Sequence, residues 1–179
     1  MASLRGAALA GRTRGAAGIK AGSDRRPASL ADGLVGTWQL VSRTDRTASG
    51  ERRVEPSLGQ DPVAVVYYDR TGNFAAQFMK RDRATASSDA AATAPNNSRA
   101  RGGFDAYFGT YTVDEHRGTV THRLIGALSA ENVGQVLTRA MKVSGRTLTI
   151  SLDTAAAQGE VVTRTLVWTR AVHPRRRAS

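Results

Sequence analysis

Five side chains capable of binding or proton chemistry lie on strand-like segments in the second half of the chain. They are the phenols of Tyr107 and Tyr111, the imidazole of His122 and the guanidinium groups of Arg139 and Arg164. Guanidinium groups suit carboxylate, enolate or phenolate oxygens, because their N–H donors form a planar fork. We therefore expect these residues to bind a small hydrophobic or amphipathic ligand with a polar or anionic head group.

The same residues also allow a catalytic interpretation. A cyclase or isomerase needs a shaped cavity, a proton donor and a group that stabilises an enolate. In that interpretation His122 is the acid/base, Arg139 the electrostatic stabiliser and Tyr111 a proton donor or orienting group. A barrel packed solid by its own side chains, with no ligand, is the third alternative.

Metal and cofactor chemistry find little support in the sequence. The chain has no cysteine, and His122 has no second histidine or carboxylate at metal-ligand spacing. His116 falls in a turn and His173 in the basic tail. A glycine-rich phosphate loop and a nucleophile elbow are both missing. We expect no metal and no cofactor.

The segments that carry these residues alternate apolar and polar side chains, as half-buried strands do. The expected fold is all-β, an eight-stranded up-and-down antiparallel barrel. The eight strands are expected at 34–42, 63–68, 73–80, 104–113, 119–127, 134–143, 147–152 and 161–170.

In a closed barrel the more apolar face of each strand points inward. Approximate pairing across the turns sets five inward side chains at one height: Tyr111, His122, Arg139, Ile150 and Arg164. Cations in such a belt are costly unless they are paired. Asp105 is the only inward acid expected on these strands, so internal water, tyrosine hydroxyls and carbonyls, or a ligand anion must satisfy the belt.

The connections between strands are unequal in length. Short turns at 69–72, 114–118 and 144–146 alternate with longer connections at 43–62, 81–103, 128–133 and 153–160. In a meander, alternate connections fall at opposite ends, which predicts one closed end and one loop-rich open end. The connection at 81–103 is expected to be a flexible loop or a lid over the open end.

Trp38 is expected at the closed end, where its indole would plug the barrel floor. Arg170 ends the last strand, beside the first. A cation–π contact between the two side chains would join these strands and is worth roughly 0.5–2 kcal/mol. We assign both residues a structural role.

Composition divides the chain into three parts. Residues 1–33 are predicted to be a disordered Ala/Gly/Arg-rich leader, residues 34–170 the barrel domain, and residues 171–179 a disordered basic tail. The net charge of +11 is spread as +4, +4 and +3 over these parts, so most of it lies outside the barrel. The barrel has no basic run interleaved with aromatics, which argues against a nucleic-acid partner.

Targeting signals are weak. No stretch reaches the roughly 18 apolar residues of a membrane span, and arginines interrupt each apolar run of the leader. A cytoplasmic location is expected, with a transit-like presequence as the alternative. The oligomeric state is left open.

Four stretches resemble the lipocalin-like domain family of bacterial and fungal proteins, which has a calycin-type barrel. They are LVGTWQLVS at 34–42, PSLGQDPVAVVYYDRTGNFAAQFMKR at 56–81, YFGTYTVDEHRGTVTHRLIGALSAENVGQVLTRAMKVSGRTLTIS at 107–151 and LVWTR at 166–170. Ala64 replaces a usual glycine, and Ala130-Glu131 replaces a usual Pro-Asn.

The resemblance implies an eight-stranded barrel with a cavity but no single activity. Some lipocalin-like barrels are thought to guide cyclisation or isomerisation in natural-product pathways. Tyr111, His122 and Arg139 match the family pattern, whereas Arg164 does not belong to it. Small-molecule binding is the leading hypothesis, and the cyclase or isomerase the alternative.

Overall fold

The computed structural model describes residues 29–85, 96–156 and 159–172. One short helix, α1, spans Leu30–Leu34, and single 3₁₀ turns lie at Arg83–Thr85 and Ala130–Asn132. The strands are β1 Gly36–Arg46, β2 Arg52–Arg53, β3 Val63–Tyr68, β4 Asn73–Met79, β5 Phe104–Asp114, β6 Thr119–Ala127, β7 Val136–Ser144, β8 Thr147–Ala155 and β9 Val161–Arg170.

The strands form the expected closed antiparallel barrel. From β3 to β9 each strand pairs with the next, and β1 pairs with both β3 and β9. The two-residue β2 is an extra strand that pairs with the end of β1. The predicted eight-stranded barrel is therefore confirmed, with this short addition at its open end.

The barrel is filled by the side chains that the alternation placed inside. In β8, for example, Leu148, Ile150 and Leu152 are buried while Thr147 is exposed. Strands β3 and β4 are apolar on both faces, so their alternation predicted no orientation. The structure turns Tyr68 and Phe78 inward.

A β-bulge in β1 was not predicted. Leu40 pairs with Trp168, but Ser42 pairs with Val167, so Val41 is an extra residue in the ladder. A bulge shifts the inward set by one residue, because side chains alternate with a period of two. Beyond it Arg43 and Asp45 are buried, although the predicted strand ended at Ser42.

The predicted belt is correct at one pairing and wrong at the others. Tyr111 pairs with His122 as expected, but His122 pairs with Leu137 rather than with Arg139. The β7–β8 turn consists of Gly145 and Arg146 between the paired Ser144 and Thr147, one residue further along the chain than the Ser144-Gly145 turn that we assumed. This difference moves Arg139 two residues along the ladder, away from Ile150.

The closed end is capped by α1. The Ser29 side chain accepts from Asp32 N, and the Glu115 carboxylate accepts from Leu30 N and Ala31 N at 2.9 Å each. Residues 29–33 therefore belong to the folded domain, which corrects the predicted boundary of the leader.

Three predicted segments lie partly or wholly outside the described residues. They are the rest of the leader (1–28), residues 86–95 of the predicted loop or lid, and residues 173–179 of the tail.

Trp38 lies on the floor of the barrel, fully buried, with its indole N–H donating to Leu34 O at 2.8 Å. The Arg170 guanidinium lies 4.2 Å from the centroid of the Trp38 rings. It also donates to Val35 O and Gly33 O, at 2.6 Å each. Gly36 leaves space for this contact, since a Cβ there would lie 2.4 Å from Arg170 Nη1.

Replacing Arg170 by Met should lower the free energy of unfolding by roughly 2–4 kcal/mol, because the two hydrogen bonds and the cation–π contact are lost. Arg117→Met is the control, since Arg117 lies exposed in a turn at the same end. Its effect should stay within about 0.5 kcal/mol. Urea unfolding followed by circular dichroism measures both, and equal effects would contradict the assigned role.

Candidate functional site

A cavity of about 80 Å³ opens at the end of the barrel that carries the long loops. On this measure one water needs about 10–15 Å³, so the cavity holds more than a single solvent molecule. Its wall combines apolar side chains with buried charges. The lining includes Arg43, Glu55, Phe78, Asp105, Tyr107, Arg139, Leu152, Arg164 and Leu166.

Below this cavity the interior is nearly full. Aromatic side chains pack against one another there, with Phe74 and His122 ring centroids 4.3 Å apart. A second void of only about 10 Å³ remains among them. Phe78, Tyr107 and Arg139 line both spaces, so the small void lies next to the open cavity.

Four of the buried charges form a network at the open end. Arg164 donates to Asp45 through two hydrogen bonds, Nε to Oδ1 at 2.8 Å and Nη2 to Oδ2 at 2.7 Å. Arg43 Nη2 lies 3.1 Å from Glu55 Oε2 and 3.7 Å from Asp45 Oδ2. Burial, and then the charge of Arg164, lower the pKa of Arg43. Two cations thus face two carboxylates.

Glu55 is held by the turn that follows it. Its carboxylate accepts from Ser57 N at 2.9 Å, from Leu58 N at 3.1 Å and from the Ser57 hydroxyl. Burial acts to raise its pKa, but the charge of Arg43 and these hydrogen bonds together hold the pKa of Glu55 below the usual value. The carboxylate is therefore charged and fixed before any ligand arrives.

This network changes the sequence-based account of Arg164. We expected Asp105 to be the only inward acid, but Asp45 is turned inward by the β1 bulge and satisfies Arg164. Glu55 belongs to a loop, where periodicity gives no orientation. Both acids were missed for these reasons, and Arg164 is a member of the cavity wall whose charge is already paired.

Arg139 differs from the other two arginines. It is only 7% exposed, and within the described ranges no carboxylate lies within 4 Å of its guanidinium. Its Nε is buried without a hydrogen-bond acceptor. The cavity wall thus contains a buried cation whose charge has no direct partner among these residues.

Asp105 contributes the remaining acid of the wall. One carboxylate oxygen accepts from the Ser98 hydroxyl at 2.5 Å, while the other, Oδ1, is buried and accepts no hydrogen bond from the part of the chain that the structure describes. Burial raises the pKa of Asp105 to about 6, and the Ser98 hydrogen bond and the charge of Arg139 only partly oppose this. Its charge therefore changes near neutral pH.

The other predicted site residues lie apart from the open cavity or only reach its wall. Tyr107 lines both spaces. His122 is 1% exposed, its Nε2 lies 2.9 Å from the Tyr68 hydroxyl, and it lines the small void but not the open cavity. Burial, then the charge of Arg139, hold its pKa well below the usual value. Tyr111 donates to Asp69 O at 2.6 Å, near the closed end, and lines neither space.

Two further properties concern the described part of the chain. It contains no group of three or more carboxylates and imidazoles placed to hold a metal ion. No helix in the same ranges is long and apolar enough to cross a membrane.

Comparison with known proteins identifies a family. The model of the lipocalin-like domain matches residues 35–171. None of the curated proteins matches the chain. The crystal structure of Rv2717c from M. tuberculosis is similar at 15% identity, covering 83% of this chain and 100% of that one, with a TM-score of 0.37. Similarity at that level carries no argument about function.

Asp105→Asn should stabilise the protein above pH 6. The folded pKa is about 6, whereas an unfolded Asp titrates near 3.9, so the folded state holds a proton that the unfolded state has lost. Wild-type stability must then fall as the pH rises from about 4 to about 6, by up to about 3 kcal/mol from this residue. The variant should lack this fall.

Urea unfolding at pH 4 and pH 7.5 measures the effect. Asp61→Asn, which changes an exposed carboxylate paired with Arg81 in an open-end loop, is the control and should leave the difference between the two pH values unchanged. The account of Asp105 is wrong if its variant and wild type keep the same difference in stability at both pH values.

Proposed function

Because the chain belongs to the lipocalin-like domain family, we propose that it binds a small molecule in the cavity at the open end of its barrel. The ligand is mostly apolar and carries a polar or anionic head group. An eight-stranded barrel has room for about one such molecule. Phe78, Leu152 and Leu166 supply the apolar wall, and Arg139 contacts the head group.

The observation that carries this proposal is the charge of Arg139, which no carboxylate of the described residues pairs. A buried cation without a partner costs several kcal/mol, which a ligand anion would offset. Arg164 provides the comparison within the same cavity, since its charge is already met by Asp45. Both arginines line the same cavity, but within the described residues only the charge of Arg139 is left for a ligand anion to pair.

Asp105 adds pH dependence to this proposed site. While ionised it partly offsets the charge of Arg139, and once protonated it adds an O–H donor to the wall. An anionic ligand should therefore bind more tightly as the pH falls through about 6. Isothermal titration calorimetry between pH 5 and pH 8 measures this, and Asp105→Asn should remove the dependence.

The enzymatic alternative receives less support from the site. A general base must accept a proton near the working pH and reach the substrate. His122 is buried below the open cavity, and its pKa lies well below the ordinary value. The ring stays neutral at pH 7, which suits hydrogen-bond donation better than proton uptake.

Arg139→Gln tests the proposal, with 2-naphthoate and its methyl ester as probes. Losing the charged contact should weaken 2-naphthoate binding about 10- to 100-fold and ester binding only slightly, since a hydrogen bond to a charged group is worth about 1.5–3 kcal/mol. Titration calorimetry of both probes measures the difference.

Arg123→Gln is the matched control. Arg123 lies on β6 and points outward, so its replacement should leave the binding of both probes unchanged. Equal losses for the acid and the ester in the Arg139 variant would contradict an anion-binding role for Arg139.

A further inference from the structure

Three buried N–H groups or ring nitrogens around the small void have no partner among the described residues. They are His122 Nδ1 from β6, Arg139 Nε from β7 and Trp168 Nε1 from β9. All three side chains line the void of about 10 Å³. Leaving a buried polar group unsatisfied is unfavourable, so three such groups on the lining of one void call for an explanation.

The state of His122 follows from its neighbour. If the Tyr68 hydroxyl donates to His122 Nε2, the hydroxyl hydrogen has its acceptor. The imidazole proton of His122 is then on Nδ1. In the opposite arrangement the buried Tyr68 hydrogen has no acceptor of its own within the described ranges. The first arrangement leaves fewer unsatisfied groups, so Nδ1 is a third donor beside Arg139 Nε and Trp168 Nε1.

The three unsatisfied groups are then all donors, and such a group of donors fits an acceptor oxygen better than it fits water. A water molecule in the void accepts two hydrogen bonds but must also place its own two hydrogens. The three unsatisfied nitrogens offer it no acceptor, so its hydrogens would have to find the hydroxyl oxygens of Tyr68 and Tyr107 on the same lining. A carboxylate, enolate or phenolate oxygen has lone pairs and no hydrogen to place, and its negative charge suits the nearby Arg139.

We propose that the small void is a subsite for one anionic oxygen of the ligand. Building on the proposed function, this inference places the head group deeper than the open cavity, past the rings of Phe78 and Tyr107. Those rings lie stacked at 22° with centroids 6.3 Å apart, and both line the two spaces. His122 acts there as a neutral donor and is a binding residue.

The chain contains a direct reporter of this subsite. It has two tryptophans, and the Trp168 indole N–H has no acceptor among the described residues, whereas that of Trp38 already donates to Leu34 O. Proton–nitrogen correlation spectra of tryptophan-labelled protein resolve the two indole signals. Contacts with Leu34 assign Trp38, and contacts with the Phe78 ring assign Trp168.

The probes are 2-naphthoate and 2-isopropylnaphthalene, which has a similar shape but no oxygen. Saturating 2-naphthoate should move the Trp168 indole proton downfield, as a new hydrogen bond does, while the Trp38 signal stays in place. The oxygen-free probe should cause no such downfield shift. Trp168→Phe should weaken 2-naphthoate binding about 10- to 100-fold, the range of one hydrogen bond to a charged group, and leave 2-isopropylnaphthalene binding nearly unchanged.

The outcomes separate this inference from the proposed function. If 2-naphthoate binds in an Arg139-dependent manner but the Trp168 signal does not move, the deep subsite is overturned and the open cavity remains the binding site. If 2-naphthoate does not bind to the wild-type protein at all, both proposals fail. Equal shifts with both probes would also overturn the subsite, since they would report packing rather than a hydrogen bond.

Discussion

The two-hydrogen-bond ion pair between Arg164 and Asp45 is the interaction on which the open end of the barrel depends. Both side chains are nearly inaccessible, so either charge alone would be costly. Pairing them, together with Arg43 and Glu55, balances four of the interior charges without a ligand. Arg139 takes no part in this network of ion pairs. Its charge, unlike that of Arg43 or Arg164, is therefore the reason for placing the proposed binding site beside it.

The two ends of the barrel use charge differently. At the closed end Arg170 reaches carbonyl oxygens and the face of Trp38, so its charge is spread over neutral acceptors. At the open end the arginines meet carboxylates or, for Arg139, a cavity. A rigid closed end and a polar open end allow a small barrel to hold one molecule in a fixed orientation.

Periodicity and turn positions predicted the barrel, its inward faces and its unequal ends, since alternation in β8 and the short turns are local signals. They did not predict which buried arginines are paired with carboxylates. One extra residue at Val41 turns Asp45 inward, and a β7–β8 turn that lies one residue further along the chain moves Arg139 by two positions. Such local irregularities leave no mark in an alternation pattern, yet they decide which arginine is paired. Glu55 belongs to a loop, where no periodicity exists.

The central claim is that Arg139 alone among the cavity arginines is open to an anion. Anomalous diffraction from crystals soaked in sodium bromide tests it most directly, because bromide is a small anion that can be located in the map. The account predicts a bromide peak against the Arg139 guanidinium and none against Arg43 or Arg164. It would be contradicted by bromide at the paired arginines and not at Arg139, or by an Asp105 carboxylate bonded directly to Arg139.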